Sequence, residues 1–149
     1  MAKIRITKEF QFEMAHALWN YDGNCRHVHG HSYKFFVTVI GEPIADPNNT
    51  KNGMVLDFGI LKKIVNEHIV NKYDHAIVLS KNAPIEHLSE MPEMFDKLIS
   101  VDYQPTCENM IIDYAQIIKQ YLPSGVQLVS MKLYETANSY AEWFASDNA

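Results

Sequence analysis

The chain has 149 residues, 47% apolar and 21% charged, with eighteen acidic against thirteen basic side chains and a formal net charge of -5. That balance describes one folded domain over residues 1–149, not a disordered chain. It argues against a general binder of nucleic acid or of an anionic membrane surface, because phosphate selects basic faces.

No apolar run approaches the roughly 20 residues of a membrane helix. The N-terminal residues alternate charged with apolar side chains and lack the apolar stretch of a signal peptide, which predicts a cytoplasmic protein. Cys25 and Cys107 are too few for a disulfide scaffold and are expected as thiols.

Ile4, Ile6, Phe10, Phe12, Met14 and His16 share one parity, interrupted by Lys8, as in a half-buried strand. A turn-rich stretch from Asn20 to Asn24 precedes a second strand from His29 to Ile40, which Gly41-Glu42-Pro43 closes. After a loop at Asp46 to Asn49, Asp57 is placed to cap a helix bearing Phe58, Leu61, Ile64, Val65, His68 and Ile69 at helical spacing. The stretch from Ala83 to Tyr103 holds Pro84 and Pro92, with a short helix expected from Glu93 to Ile99. Thr106 is placed to cap a further helix, with Ile111, Ala115 and Ile118 on one face, that ends at Pro123-Ser124-Gly125. Two last strands, Val126 to Glu135 and Tyr140 to Phe144, are joined by a short turn. The order strand, strand, helix, helix, strand, strand predicts an α+β domain, an antiparallel sheet with helices packed on one face. Its two open edges need protection, which edge-to-edge assembly of subunits supplies.

Residues two apart in a strand project from one face, so His29 and His31 can bind one ion together, and Gly30 lets the backbone come close. His16 ends the neighbouring strand and supplies a third imidazole. Three histidines with a fourth position open suit catalytic zinc. His27 has the same parity and is the alternative ligand, ranked lower because it lies nearer the loop.

Cys25, four residues before His29 and next to Arg26, is a candidate thiolate base or nucleophile. Cys107, with no clustered histidine, is assigned no chemistry. Asp74-His75 reads equally as a proton relay or as a helix-terminal pair. Glu135 continues the apolar parity of Val129, Met131 and Leu133, so it is either a partnered inward acceptor or a strand-end residue turned to water. Thr106 and Glu108 read as well as cap and first-turn dipole partner as they do as pocket residues.

The chain resembles the family of 6-pyruvoyl- and 6-carboxytetrahydropterin synthases. The resemblance rests on Phe12-Glu13-Met14-Ala15-His16, Cys25-x-x-x-His29-Gly30-His31, Gly53-Met54-Val55-Leu56-Asp57-Phe58, Asp74-His75, Pro105-Thr106-Cys107-Glu108-Asn109 and Glu135-Thr136, in family order over nearly the whole chain. It implies a four-stranded antiparallel sheet with two main helices on one side. It also implies ring-shaped trimers stacked as homohexamers, with active sites between subunits. By the same resemblance, His16, His29 and His31 hold zinc, and Cys25, Asp74 and His75 move protons. Glu135 anchors the pterin ring, with Thr106 and Glu108 close to its pocket.

The implied reaction is that of a lyase on 7,8-dihydroneopterin triphosphate, with loss of triphosphate. The Cys-x-x-x-His-Gly-His spacing is similar to bacterial 6-carboxytetrahydropterin synthases of queuosine and deazapurine biosynthesis, while pyruvoyl-forming relatives usually carry one more residue there. The alternatives are a pyruvoyl-forming synthase and, in another class, a non-catalytic zinc-binding protein. Two departures stand out: Ala17, where bacterial members often have a basic residue, and a longer stretch between Leu79 and Pro105.

Overall fold

In the computed structural model, which describes residues 2–149, the first two strands are β1 (Ile4–His16) and β2 (His29–Gly41). They pair antiparallel without a break from Ile4 against Gly41 to His16 against His29. Phe10, Phe12 and Met14 on β1 and Tyr33, Phe35, Val37 and Val39 on β2 are buried on one face. Sequence alternation alone prescribes that face.

Asp57 caps α1 (Phe58–Val65), its carboxylate accepting from the Gly59 N–H. The helical path then continues through a π-turn (Asn66–Val70) into the short α2 (Asn71–Tyr73). The long helix α4 (Cys107–Tyr121) is capped by Thr106, whose hydroxyl accepts from the Asn109 N–H. Leu61, Val65 and Ile69 meet Met110, Ile111, Tyr114, Ala115 and Ile118 over the sheet. Each Leu, Val, Ile and Met side chain among them contributes about 1.5–3 kcal/mol on leaving water.

The sheet has six strands, not the four expected, and it is mixed, not antiparallel throughout. Its order is β4-β3-β1-β2-β5-β6, where β3 is Ala76–Ser80, β4 is Leu98–Val101, β5 is Gln127–Thr136 and β6 is Ser139–Phe144. The four expected strands form the antiparallel part, while β3 lies parallel to both β1 and β4. All five residues of β3 are buried, so it reads as a continuous apolar run with no period. The helix expected over Glu93 to Ile99 shrinks to α3 (Pro92–Phe95), because Leu98 and Ile99 join β4.

The long segment after β3 covers the second face of that strand. Ala83, Ile85, Leu88 and Phe95 pack on Ala17, Ile77 and Leu79 as a separate small core. On β5, a register shift opposite Thr38 and Val39 turns Leu128 inward and leaves Val129 half-buried, against the parity expected.

Candidate functional site

The unbroken β1–β2 register sets His16 directly opposite His29, with His31 two residues further along the same face of β2. One ligand atom from each of the three lies within 4.8 Å of the other two. His16 is 1% exposed. Its Nδ1–H donates to the Pro105 carbonyl at 2.7 Å, and that of His29 donates to the His27 carbonyl at 2.7 Å. Backbone acceptors on Nδ1 leave the Nε2 lone pair free, as metal-binding histidines require.

The Nε2 atoms of His16, His29 and His31 are all buried without a hydrogen-bond partner. Burial holds the His16 imidazole below its ordinary pKa, against the Pro105 hydrogen bond and the Glu135 charge. The His31 pKa is lowered by burial as well, with Glu135 again opposing. Orphaned, converging nitrogens fit a metal ion such as zinc. His27 lies outside the trio, its Nδ1 bonded to the Asn24 carbonyl at 3.1 Å.

Glu135 falls where the β5–β6 register shifts between Tyr134 and Thr136. A bulge of this kind re-aims a side chain. Here Glu135 Oε1 stands 3.4 Å from His16 Nε2 and 3.5 Å from His31 Nε2. On its other side Glu135 lines a pocket of ≈ 480 Å³ with Cys107, Glu108 and Tyr140. The Cys107 thiol donates to the Leu133 carbonyl at 3.2 Å, and burial pushes its pKa up to about 12, so it stays protonated and inert. Thr106 is engaged as the helix cap, and Pro105 beside it holds His16.

Cys25 is exposed in a single 3₁₀ turn, Asn24–Arg26. The Leu18 N–H donates to its carbonyl at 2.9 Å, which ties the loop to the end of the sheet that carries His16 and His29.

Asp74 and His75 lie between α2 and β3. His75 takes a left-handed conformation, φ 62°, which lets its Nδ1 turn back to Asp74 Oδ2 at 3.0 Å. The pair is therefore in direct contact, which an extended chain would not give. Glu13 clamps it through main-chain atoms: its N–H donates to Asp74 Oδ1 and its carbonyl accepts from the His75 N–H. Lys97 Nζ donates to the Asp74 carbonyl. Burial pushes the Asp74 carboxyl upward, but the Glu13 N–H, His75 and Lys97 outweigh it and hold the carboxyl below its ordinary value. His75 and the metal-side His31 line one open cleft of ≈ 320 Å³, together with Glu13 and Ser32.

Three contributors were not foreseen. Pro105 acts through a carbonyl that the sequence cannot assign, and Glu13 acts mainly through its backbone. Tyr33, third on the face of His29 and His31, has a fully buried hydroxyl without a partner. Its parity was the available signal. His68 stacks on Tyr121 at 3.5 Å and His87 lies exposed beside Glu90, both away from the site.

The family model described as 6-pyruvoyl tetrahydropterin synthase matches residues 5–146. The chain is 34% identical to the 6-carboxy-5,6,7,8-tetrahydropterin synthase of Haemophilus influenzae, over 93% of this chain and 97% of that one. It is 27% identical to the synthase of the same name from Aquifex aeolicus, over 95% and 98%. Among solved structures, the fold matches the 6-pyruvoyl tetrahydropterin synthase of Caenorhabditis elegans with a TM-score of 0.67 at 23% identity, covering 97% of each chain.

Proposed function

Because this chain belongs to the 6-pyruvoyl tetrahydropterin synthase family, we propose that it is a single-domain, zinc-dependent 6-carboxy-5,6,7,8-tetrahydropterin synthase acting on 7,8-dihydroneopterin triphosphate. The observation that carries this reading is the trio of buried, partnerless Nε2 atoms on His16, His29 and His31 beside a pocket lined by carboxylates. Bound there, zinc supplies Lewis acidity that polarises the substrate's side-chain hydroxyls and acidifies the neighbouring C–H bonds.

Cys25 as thiolate removes or relays a side-chain proton, and the Asp74–His75 pair handles the second transfer as triphosphate leaves. The main-chain clamp at Glu13 keeps the His75 ring on the cleft that it shares with His31. The pterin's 2-amino group and ring N–H form a two-donor edge that a carboxylate accepts as a pair. That edge and the side chain leave the bicyclic ring at opposite ends. With the side-chain hydroxyls at the histidines, the edge reaches outward, so Glu108 in the same pocket takes it in place of Glu135, the anchor that the resemblance implies. Glu135 then guides the ring near the metal, and Thr106 supports the wall by capping α4.

The exposed turn of Cys25 and the exposed His75 suit a site that a neighbouring subunit completes. Free edges support edge-to-edge closure into trimers stacked as a homohexamer. β3 covers β1 only from Met14 to His16, and β6 has no strand beyond it among the described residues. The loss of triphosphate makes this a lyase, and the product serves queuosine and deazapurine synthesis in the cytoplasm.

The test is incubation of the zinc-loaded protein with 7,8-dihydroneopterin triphosphate, with the product identified by mass. The expected product is 6-carboxytetrahydropterin. A 6-pyruvoyl product would reassign the reaction within the family, and unchanged substrate with zinc still bound would point to a zinc-binding protein.

A further inference from the structure

Glu135 keeps the inward parity of Met131 and Leu133 at the end of its strand and brings an anionic oxygen to the histidine trio. Four ligands at the corners of a zinc tetrahedron, with bonds of about 2.0–2.2 Å, stand about 3.3–3.6 Å apart. Glu135 Oε1 lies 3.4 Å from His16 Nε2 and 3.5 Å from His31 Nε2, the spacing of neighbouring corners on that side, and stands farther from His29. The carboxylate side chain is 29% exposed, so it comes in from the solvent side over His16, which is 1% exposed. The residue sits at the β5–β6 register shift, so its direction is set by the backbone, and it is not a loose rotamer at a strand end. The Tyr33 hydroxyl is buried and unpartnered, and burial first, with the Glu135 charge second, keeps that phenol protonated.

We propose that Glu135 is a displaceable fourth ligand: in the substrate-free protein its carboxylate closes the coordination position that the substrate's diol later takes. This rests on the metal site proposed above and adds a resting state to it. The exchange is a simple ligand substitution. One carboxylate oxygen leaves the ion and two hydroxyl oxygens replace it, with no change in oxidation state. The freed carboxylate swings toward the pocket of Cys107 and Glu108, where it meets the near edge of the ring. A capped metal is shielded from stray anions and thiols until a ligand with two adjacent hydroxyls competes for it. A pterin without those hydroxyls leaves the cap in place.

The experiment uses the full-length protein loaded with cobalt(II), whose visible absorption reports the ligand set directly. Parent, Glu135→Ala and Glu135→Gln are compared for spectrum, for cobalt affinity and for affinity toward azide, a small anion that needs an open position. Loss of the cap should shift the visible bands and weaken cobalt binding by about ten- to a hundredfold, the scale on which supporting ligand interactions act. Azide should bind both variants at least ten times more tightly than the parent. Neopterin, which carries the diol, should move the parent spectrum, and 6-methylpterin should not.

Identical spectra and azide affinities in all three proteins, each still holding cobalt, would overturn the fourth-ligand role and leave the histidine site intact. Failure of the parent itself to bind cobalt would overturn both. Cobalt retained by the three histidines shows that each variant is folded, so an altered spectrum cannot be mistaken for unfolding.

Discussion

His16 is 1% exposed and hangs between two strands whose register never breaks, whereas the side chain of His75 is 75% exposed in a left-handed turn. The first site is fixed by the sheet, and its rings are oriented by backbone carbonyls at Pro105 and His27. The second is fixed by a local main-chain clamp from Glu13 and by Lys97 on the Asp74 carbonyl. A metal site needs ligands that do not move, and burial in a paired sheet supplies that stiffness. The Asp74–His75 pair sits at the surface and takes its geometry from a strained turn, which suits the proton-transfer role proposed for it.

The largest effect should fall on the exposed machinery. Cys25→Ala is expected to retain its zinc and bind substrate while losing on the order of 100- to 10,000-fold in turnover, the usual cost of removing a positioned base. Single-turnover kinetics on the metal-loaded variant measure this. A rate equal to the parent's would return Cys25 to the status of an ordinary surface thiol.

A smaller and opposite pair of effects is expected at His75. Holding a side chain in the left-handed region costs roughly 1–2 kcal/mol, which glycine avoids at some cost in chain entropy. The exposed contact with Asp74 returns little stability. His75→Gly should therefore raise stability by up to about 1 kcal/mol in urea unfolding, while turnover falls. A marked loss of stability would mean that the turn is held by the imidazole and not by the Glu13 clamp.

How much of this was legible in the sequence follows the same division. The strands with one wet face, β1, β2, β5 and β6, announce themselves by alternation, and the H-x-H pair falls on β2 opposite the end of β1 that carries His16. Asp57 and Thr106 were readable as caps because their side-chain oxygens do the capping. The β3–β4 corner was not legible. A strand buried on both faces has no period, and four residues of β4 are too few to establish one. The direct Asp74–His75 contact depends on a positive φ at a histidine, which no local pattern signals. Parity with Met131 and Leu133 already offered Glu135 as an inward residue, whereas the bulge beside it was not legible, since a one-residue slip is invisible to parity counting. Main-chain partners such as Glu13 and Pro105 leave no mark in side-chain identity.

The smallest expected effect separates scaffold from site. Thr106→Ala removes the acceptor for the Asn109 N–H and should cost about 1 kcal/mol of stability. Metal content should stay unchanged, because the Pro105 carbonyl that holds His16 belongs to the backbone. Thermal unfolding and metal analysis of one preparation check both halves. Loss of the metal would show that the histidine site leans on the α4 cap more than on the sheet.

The central claim is that the three histidines hold one ion and that the chemistry runs through that site. Adding zinc stepwise to metal-stripped protein while following turnover of 7,8-dihydroneopterin triphosphate tests it most directly. Activity should rise from near zero in proportion to the metal and level off at one equivalent per chain, with His31→Ala staying flat over the same range. Full turnover by the stripped protein, or an undiminished response in His31→Ala, would contradict the account.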